Sequence, residues 1–319
     1  LCAPAGSDIL FDEKVCETGR NFCNKVWNAF RLVKGWESDA KIEQPAESAA
    51  AVKWFGEKLS ATIREVDDLM EKFRISEAMM VIYRLFWDEF SSWYLEMVKP
   101  AYGSPIDKAT LDSTLEYFSA LLRLMHPFMP FITEELWQNI AERREGESIM
   151  YSTLNADDYD GGASDTMLQA METAKEIVTA VRAVRAQKGI ATRDALELNV
   201  IGAPAPQPEG LCKLIVKMAN LSAVNASCEK DPAAASFLVG TQEYNVPLKG
   251  AVDAEAEIAR LKKDIEYYEG FLSSVMKKLS NERFTSKAPA AVVDAERRKQ
   301  ADAEQKLASL RASLASLSK

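Results

Sequence analysis

Apolar residues recur at helical spacing through most of this chain. Over residues 12–36, Val15, Phe22, Val26, Trp27, Phe30 and Val33 fall on one arc of a predicted helix, which Lys34-Gly35 ends. Over 47–73 the apolar stripe is Val52, Phe55, Leu59, Ile63, Val66 and Met70. A third helix is predicted from Ser76, read as its N-cap, to the stop at Lys99-Pro100, and it carries Tyr83, Phe86, Trp87, Phe90, Trp93 and Tyr94. A fourth is predicted over 105–126. After a break at 127–130, Thr133 reads as the cap of a fifth, with Leu136, Trp137 and Ile140 on its inner side. Five helices with short polar links predict a bundle, whose core takes the third helix's aromatics.

The pattern changes after this. Residues 155–164 are rich in Asp and Gly and read as a linker. A helix is predicted over 166–188, ended by Gly189. Residues 195–201 alternate like a strand, a proline-rich break follows, a short helix covers 210–219, and strands are predicted at 222–227, 236–240 and 244–248. From Ile258 the apolar positions run Ile258, Leu261, Ile265, Tyr268, Leu272, Val275 and Leu279 in alternating steps of three and four, the a/d seam of a coiled coil. A second seam runs Ala303, Leu307, Leu310, Leu314 and Leu317. The polar, proline-containing stretch 280–289 lies between them, so the two helices are expected to fold back antiparallel into an arm roughly 40 Å long, at about 1.5 Å per residue. The expected fold class is mainly α: a helical bundle over 1–154, a small α/β module over 155–250, and an antiparallel coiled-coil hairpin over 251–319.

The net charge is −9, which argues against indiscriminate nucleic-acid binding but allows local basic patches. One such patch is the predicted arm tip. Lys277, Lys278, Arg283, Lys287, Arg297, Arg298 and Lys299 outnumber Glu282, Asp294 and Glu296 there. A phosphate-rich partner accounts for it; a solvated surface laced with ion pairs accounts for it equally well on charge alone. Five scattered cysteines (Cys2, Cys16, Cys23, Cys212, Cys228), without a Cys-x-x-Cys, fit a reducing, cytoplasmic setting with buried, inert thiols and no structural zinc. No apolar run reaches 18 residues, so no transmembrane helix is expected. The N-terminus has no signal-peptide pattern and no initiating methionine, and reads as a cut inside a larger protein.

Candidate chemistry is sparse. The single histidine, His126, precedes a proline at a predicted helix end and is expected to be structural. Glu134 and Glu135 are neighbours on a helix and do not face each other, so they make no carboxylate pair. No glycine-rich phosphate cradle, metal cluster or nucleophilic triad is present, and this chain alone is expected to catalyse nothing and to need no cofactor of its own. Binding has more support. Arg20, Asn24, Lys25, Asn28 and Arg31 recur at steps of mostly three and four on the first predicted helix, and amides and guanidinium groups at such spacing suit unstacked bases and phosphates. Arg182, Arg185, Lys188 and Arg193 form a second basic run, with simple solvation as the alternative.

Three segments carry a resemblance. Gly19-Arg20-Asn21-Phe22-Cys23-Asn24-Lys25-Val26-Trp27-Asn28-Ala29 resembles the helix that opens the anticodon-binding domain of valyl-tRNA synthetases. His126-Pro127-Phe128-Met129-Pro130-Phe131-Ile132-Thr133-Glu134-Glu135-Leu136-Trp137 is similar to a segment shared by the valine, isoleucine and leucine enzymes. Asn281-Glu282-Arg283-Phe284 with Ala288-Pro289, Val292-Val293 and Glu296-Arg297 resembles the turn of the valyl family's C-terminal tRNA-binding arm. Residues 151–154 depart from the family, which usually has Trp-Pro there. Isoleucyl-tRNA synthetase is the nearest rival, but its bacterial members often end in a cysteine-rich zinc module, whose spacing is absent here.

The resemblance implies a non-catalytic, monomeric, membrane-free part of an enzyme that joins valine to tRNA. ATP and Mg²⁺ would be needed only by the full-length enzyme, whose His-rich signature and Lys-Met-Ser-Lys-Ser loop this chain lacks. It implies tRNA contacts at Arg20, Asn24, Lys25, Asn28 and Arg31 for the anticodon. The arm tip (Lys277, Lys278, Arg283, Phe284, Lys287, Arg297, Arg298, Lys299) would grip the outer corner of the tRNA, and Arg182, Arg185, Lys188 and Arg193 would lie along its path. The alternative is a scaffold whose coiled coil pairs with another protein.

Overall fold

The computed structural model describes residues 12–159, 165–203, 209–227, 234–248 and 254–280, together with residues 296, 297, 300, 303, 304, 307 and 311; the side chains of 209, 254–261 and 264 are not among those described. The chain forms two compact units. The first holds residues 1–182, 195–231 and 236–246; the second holds 183–194, 232–235 and 247–319.

The first unit is built on the predicted bundle. Helix α1 (Glu13–Lys34) starts where the Asp12 side chain accepts the Lys14 N–H at 2.9 Å, and ends where the Gly35 N–H reaches Arg31 O. Strand β1 (Ser38–Asp39) and strand β2 (Ile106–Asp107) make a short parallel pair that closes one end. Helix α2 (Ala46–Glu71) is the central element, with Trp54, Phe55, Leu59 and Ile63 out of water. Helix α3 (Ile75–Arg84) runs without a break into a π-helical stretch, Leu85–Tyr94, and then α4 (Leu95–Val98). Helix α5 (Lys108–Met125) is capped by Asp107, which accepts the Thr110 N–H at 2.8 Å. Helix α6 (Pro130–Ile140) begins with proline in its first turn.

The core is aromatic. Phe55, Phe86, Phe90, Tyr94 and Phe118 are fully buried, with Phe55 4.9 Å from Tyr94 and 5.2 Å from Phe90, and Phe90 5.4 Å from Phe118. Each such side chain contributes about 1.5–3 kcal/mol by leaving water. The Tyr94 hydroxyl hydrogen-bonds Thr114 Oγ1 at 2.8 Å, and burial pushes its pKa far above the ordinary value. Tyr117, also desolvated, is pushed up to about 12 and donates to Val52 O. Of the third helix's aromatics, Phe86, Phe90 and Tyr94 are core residues, as expected, whereas Tyr83, Trp87 and Trp93 are only half-buried.

Several local expectations are corrected. The N-terminus of α3 lies at Arg74, whose side chain pairs with Glu77, so Ser76 is inside the helix. Thr133 is buried within α6; its hydroxyl donates to Met129 O and lies 2.7 Å from His126 Nδ1, so it fastens a turn rather than capping. His126 is structural, as expected. Val15 and Trp27 are 61% and 41% exposed, because the buried arc of α1 is Phe22, Val26, Ala29 and Val33. Met70 is exposed and Leu69 takes the inner position. Residues 156–159 form a 3₁₀ turn, not a linker: Ala156 and Tyr159 are buried, and Ser60 donates to Ala156 O at 2.9 Å. Residues 160–164 lie outside the described set. Cys16 is exposed and Cys23 and Cys212 are half-buried, against the expectation of buried thiols; Cys2 and Cys228 lie outside the described residues.

Helix α7 (Asp165–Lys188) ends at Gly189, which adopts φ +67°, as the Ile190 N–H bonds Arg185 O. Strand β3 (Leu196–Ile201), helix α8 (Glu209–Ala219) and strand β4 (Leu221–Ser227) form a parallel βαβ unit. Strands β5 (Ala235–Val239) and β6 (Gln242–Val246) complete a sheet of order β4-β3-β6-β5, with β6 antiparallel to β3. The predicted break at 202–208 is described only as far as residue 203. Mainly helical architecture with a small sheet module matches the expected class.

In the second unit, helix α9 (Ala254–Leu279) carries the first seam. Val275 is buried and Ile265, Tyr268, Leu272 and Leu279 are half-buried, whereas off-seam Tyr267 and Met276 are exposed. Ala303 and Leu307 of the second seam are buried. Lys278 Nζ lies 3.9 Å from Glu296 and Arg311 pairs with Glu269 at 2.6 Å. Later residues on one side meet earlier residues on the other, so the two strands of the arm run antiparallel. Leu310, Leu314, Leu317 and the predicted turn from residue 281 on lie outside the described residues, as do the side chains of Ile258 and Leu261.

Two outcomes test this packing. A Cβ at Gly56 would stand 2.8 Å from the Tyr117 hydroxyl and 3.1 Å from Tyr159 O. Gly56→Ala is expected to lower stability by about 1–3 kcal/mol, read as a drop in the urea midpoint. Burial alone would raise the Glu134 pKa, but hydrogen bonds from Gln138, Ser148 Oγ and the Ile149 N–H, with help from His126, outweigh it and hold the carboxyl below its usual range. Its stabilisation is present above the ordinary carboxylate pKa of about 4 and is lost as pH falls through the depressed value. The stability deficit of Glu134→Gln should therefore be about 1 kcal/mol or less at neutral pH, given solvent screening, and shrink in acid, as denaturant titrations at both pH values would register.

Candidate nucleic-acid interface

Helix α1 has two faces. Phe22 packs its ring 4.9 Å from Tyr83 and 5.6 Å from Phe86, fixing the helix to α3 and the π stretch. Phe22, Val26, Ala29 and Val33 point inward, and this leaves Arg20, Asn24, Asn28 and Arg31 exposed on the other side. Four of the five predicted residues are thus solvent-facing. The fifth, Lys25, is half-buried: its ammonium sits 4.0 Å over the Trp87 ring and 3.4 Å from Ser92 Oγ. Burial lowers its pKa and Asp88 partly restores it.

The polar face of α1 borders a groove of about 420 Å³. One wall is Asn21, Asn24, Lys25, Asn28, Ala29 and Leu32; the other is Ser91, Leu95 and Glu96, from the π stretch and α4. The Ser92 hydroxyl donates to Trp87 O at 2.7 Å, a bond across five residues that suits the wider turn. Beyond Leu32 the surface continues into a second hollow of about 760 Å³, between the end of α1 and loop 99–104, where Arg31, Trp36 and the fully exposed Tyr102 lie. Loop 99–104 is held at its start by Lys217 of α8, whose ammonium reaches Met97 O at 2.7 Å and Lys99 O at 3.0 Å. Sequence reasoning passed over Ser91, Glu96, Trp36 and Tyr102. The Ser91-Ser92 pair inside an aromatic run was the available signal.

The second basic run divides. Arg185 is buried, and its Nη1 donates to Ala191 O at 3.1 Å and Asp194 O at 2.6 Å, so it ties down the turn after α7 instead of meeting a ligand. Burial lowers its pKa, partly offset by Asp194. Arg182 donates to Met218 O at 2.9 Å and lies 5.7 Å from the Trp93 ring. Lys188 is half-buried, and Arg193 is the open one, with its side chain 90% exposed. On the arm, Lys277, Lys278 and Arg297 are exposed. Arg283, Phe284, Lys287, Arg298 and Lys299 lie outside the described residues.

Among the described residues, no three His, Cys, Asp or Glu side chains are grouped to hold a metal ion, and no helix is long and apolar enough to cross a membrane.

A family model for the anticodon-binding domain of tRNA ligases matches residues 52–200, and one for the valyl-tRNA synthetase tRNA-binding arm matches residues 253–318. Helix α1 lies ahead of the first match. Across 319 residues the chain is 56% identical to the valine–tRNA ligase of Parabacteroides distasonis, and across 320 it is 54% identical to that of Phocaeicola vulgatus. It is 42% identical across 321 residues to that of Christiangramia forsetii. Each alignment covers 100% of this chain and 36% of the relative, so the chain spans about a third of those proteins. The chain belongs to the valine–tRNA ligase family and corresponds to the C-terminal part of its members.

Proposed function

We propose that this chain is the tRNA-holding part of a valine–tRNA ligase. The observation that carries the reading is the α1 face: amides and guanidinium groups stand in water beside a groove, in a chain that matches valine–tRNA ligases along its whole length. Asn24 and Asn28 offer paired donors and acceptors to a base edge, while Arg20 and Arg31, roughly 16 Å apart along the helix, take phosphates on either side. The exposed cations of the arm, Lys277, Lys278 and Arg297, supply a second, sequence-independent grip on the outer corner of the tRNA. Arg193 is available along the path; Arg185 is not. Joining valine to tRNA with ATP and Mg²⁺ is assigned to the two thirds of the relatives' length outside this chain. The burial of Val275, Ala303 and Leu307 in a single copy of the chain supports this reading over the scaffold alternative.

Fluorescence anisotropy of this chain with valine tRNA and a non-cognate tRNA at two salt concentrations tests the proposal. Tighter binding to valine tRNA is expected, and Asn24→Ala with Asn28→Ala should narrow that preference by about 1–3 kcal/mol. Equal affinity for both tRNAs would remove the anticodon assignment. Replacing Lys277, Lys278 and Arg297 by alanine should weaken both tRNAs alike and reduce the log–log salt slope by up to about 3. An unchanged slope would take the arm out of the interface.

A further inference from the structure

A separate cavity of about 350 Å³ lies between α5 and α6. None of its lining residues borders the α1 groove or the hollow beyond it. Leu115 of α5 and Ile140 of α6 line it together with Trp137. The Trp137 indole N–H is shut away from water and has no hydrogen-bond partner, a state that folded proteins normally avoid. The Arg143 guanidinium lies 3.5 Å over the same ring, and its Nε donates to Trp137 O at 3.3 Å. Among the described residues no carboxylate pairs with it. The cavity's other arginine is spent: Arg123 donates to Thr153 O at 2.8 Å and to Glu116 at 3.0 Å. Glu116 takes this bond and the Tyr159 hydroxyl on one oxygen, Oε1, which leaves Oε2 for a further donor. Ser119, only 7% exposed, lines the cavity one turn further along α5.

An open guanidinium and an open carboxylate oxygen beside one apolar surface suit a zwitterion. A simple anion would be repelled by Glu116, and a simple cation by Arg143 and Arg123. We propose that this cavity binds a free α-amino acid with a short, branched apolar side chain, such as valine. The ammonium donates to Glu116 Oε2. The carboxylate accepts from Arg143 and the Ser119 hydroxyl, and supplies the partner that the Trp137 N–H lacks. The side chain covers Leu115 and Ile140. Glu116 and Ser119 are three residues apart on α5. That is roughly 4.5 Å of helix rise, on the order of the spacing between the two charged groups of an α-amino acid. A cavity of this size is at the small end for ligand sites, and it leaves no room for a nucleotide. The proposal is independent of the tRNA reading. It concerns no step of aminoacylation, whose sequence signatures this chain lacks.

Equilibrium dialysis of the full chain against radiolabelled L-valine tests this. One saturable site per chain is expected, with a Kd of about 1 mM or tighter. Valinamide and N-acetylvaline, which each keep only one of the two charges, should displace it about tenfold less well. Arg143→Gln, checked for an unchanged thermal midpoint, should weaken binding about tenfold. A second readout needs no variant under load: the Trp137 indole N–H resonance, identified by its loss in Trp137→Phe, should move when valine is added to the unaltered chain. Absence of saturable binding up to about 20 mM overturns the proposal. So does displacement by either analogue as effective as by valine itself, an indole resonance that stays in place, or full binding by Arg143→Gln. None of these outcomes touches the tRNA reading, which the anisotropy titrations decide.

Discussion

Phe86, Phe90 and Tyr94 leave water completely, while Trp87 and Ser92, on the same ten residues, face Lys25 of α1. One helical segment has to serve both demands. It does so by widening into a π-helix, a geometry rare enough that it persists only where tertiary packing repays its poorer backbone bonding. Here the packing is the cluster of Phe55, Phe90, Tyr94 and Phe118. The position of α1 depends on it, because Phe22 is stacked against Tyr83, Phe86 and Trp87. The groove depends on α1 in turn. A change in the core aromatics would therefore be felt at the polar face, although none of them lines the groove.

Several cations in this chain are committed to internal partners. Lys175 is buried between Glu89 at 2.7 Å and Glu172 at 3.0 Å and joins α7 to the π stretch. Lys217 and Arg185 spend their charge on backbone carbonyls. Lys175 and Arg185 are buried, and a desolvated cation without such partners would be strongly unfavourable; Lys217 makes the same kind of bond although its residue is exposed. Of the residues singled out from the sequence, Arg20 and Arg31 on α1, Arg193, and Lys277, Lys278 and Arg297 on the arm are exposed. The α/β module then matters to the interface chiefly as a support. It pins the end of α4 and, through it, the start of loop 99–104.

How legible this was depended on the kind of signal. The α1 and α2 boundaries and the strand at 196–201 follow from periodicity, and the structure agrees within a residue or two; of the coiled-coil seam, the described positions from Ile265 to Leu279, with Ala303 and Leu307, are buried or half-buried. The misplaced features share a cause: they are decided by what lies across the fold. Trp27 falls within the apolar arc of α1, yet the neighbouring helices cover Val26 and Ala29 instead. Ser76 and Thr133 are good capping residues at the wrong turn. Ala156 and Tyr159 sit in a composition that reads as linker, but Ser60 and the Arg123–Glu116–Tyr159 network hold them. Arg185 looked like surface charge because nothing in its neighbourhood announces the carbonyls of Ala191 and Asp194. The polar face of α1, one wall of the groove, was readable from residue types and spacing. The opposing wall was not, because Ser91 and Glu96 reach α1 only through the π winding.

A chain with net charge −9 repels a polyanion at long range. Under the proposed function, salt-dependent grip would come from local cations, and discrimination from neutral groups that meet bases at short range. The α1 face divides in this way, with guanidinium groups at its ends and amides between them. A uniformly basic surface would raise affinity for every tRNA and weaken the contrast between them.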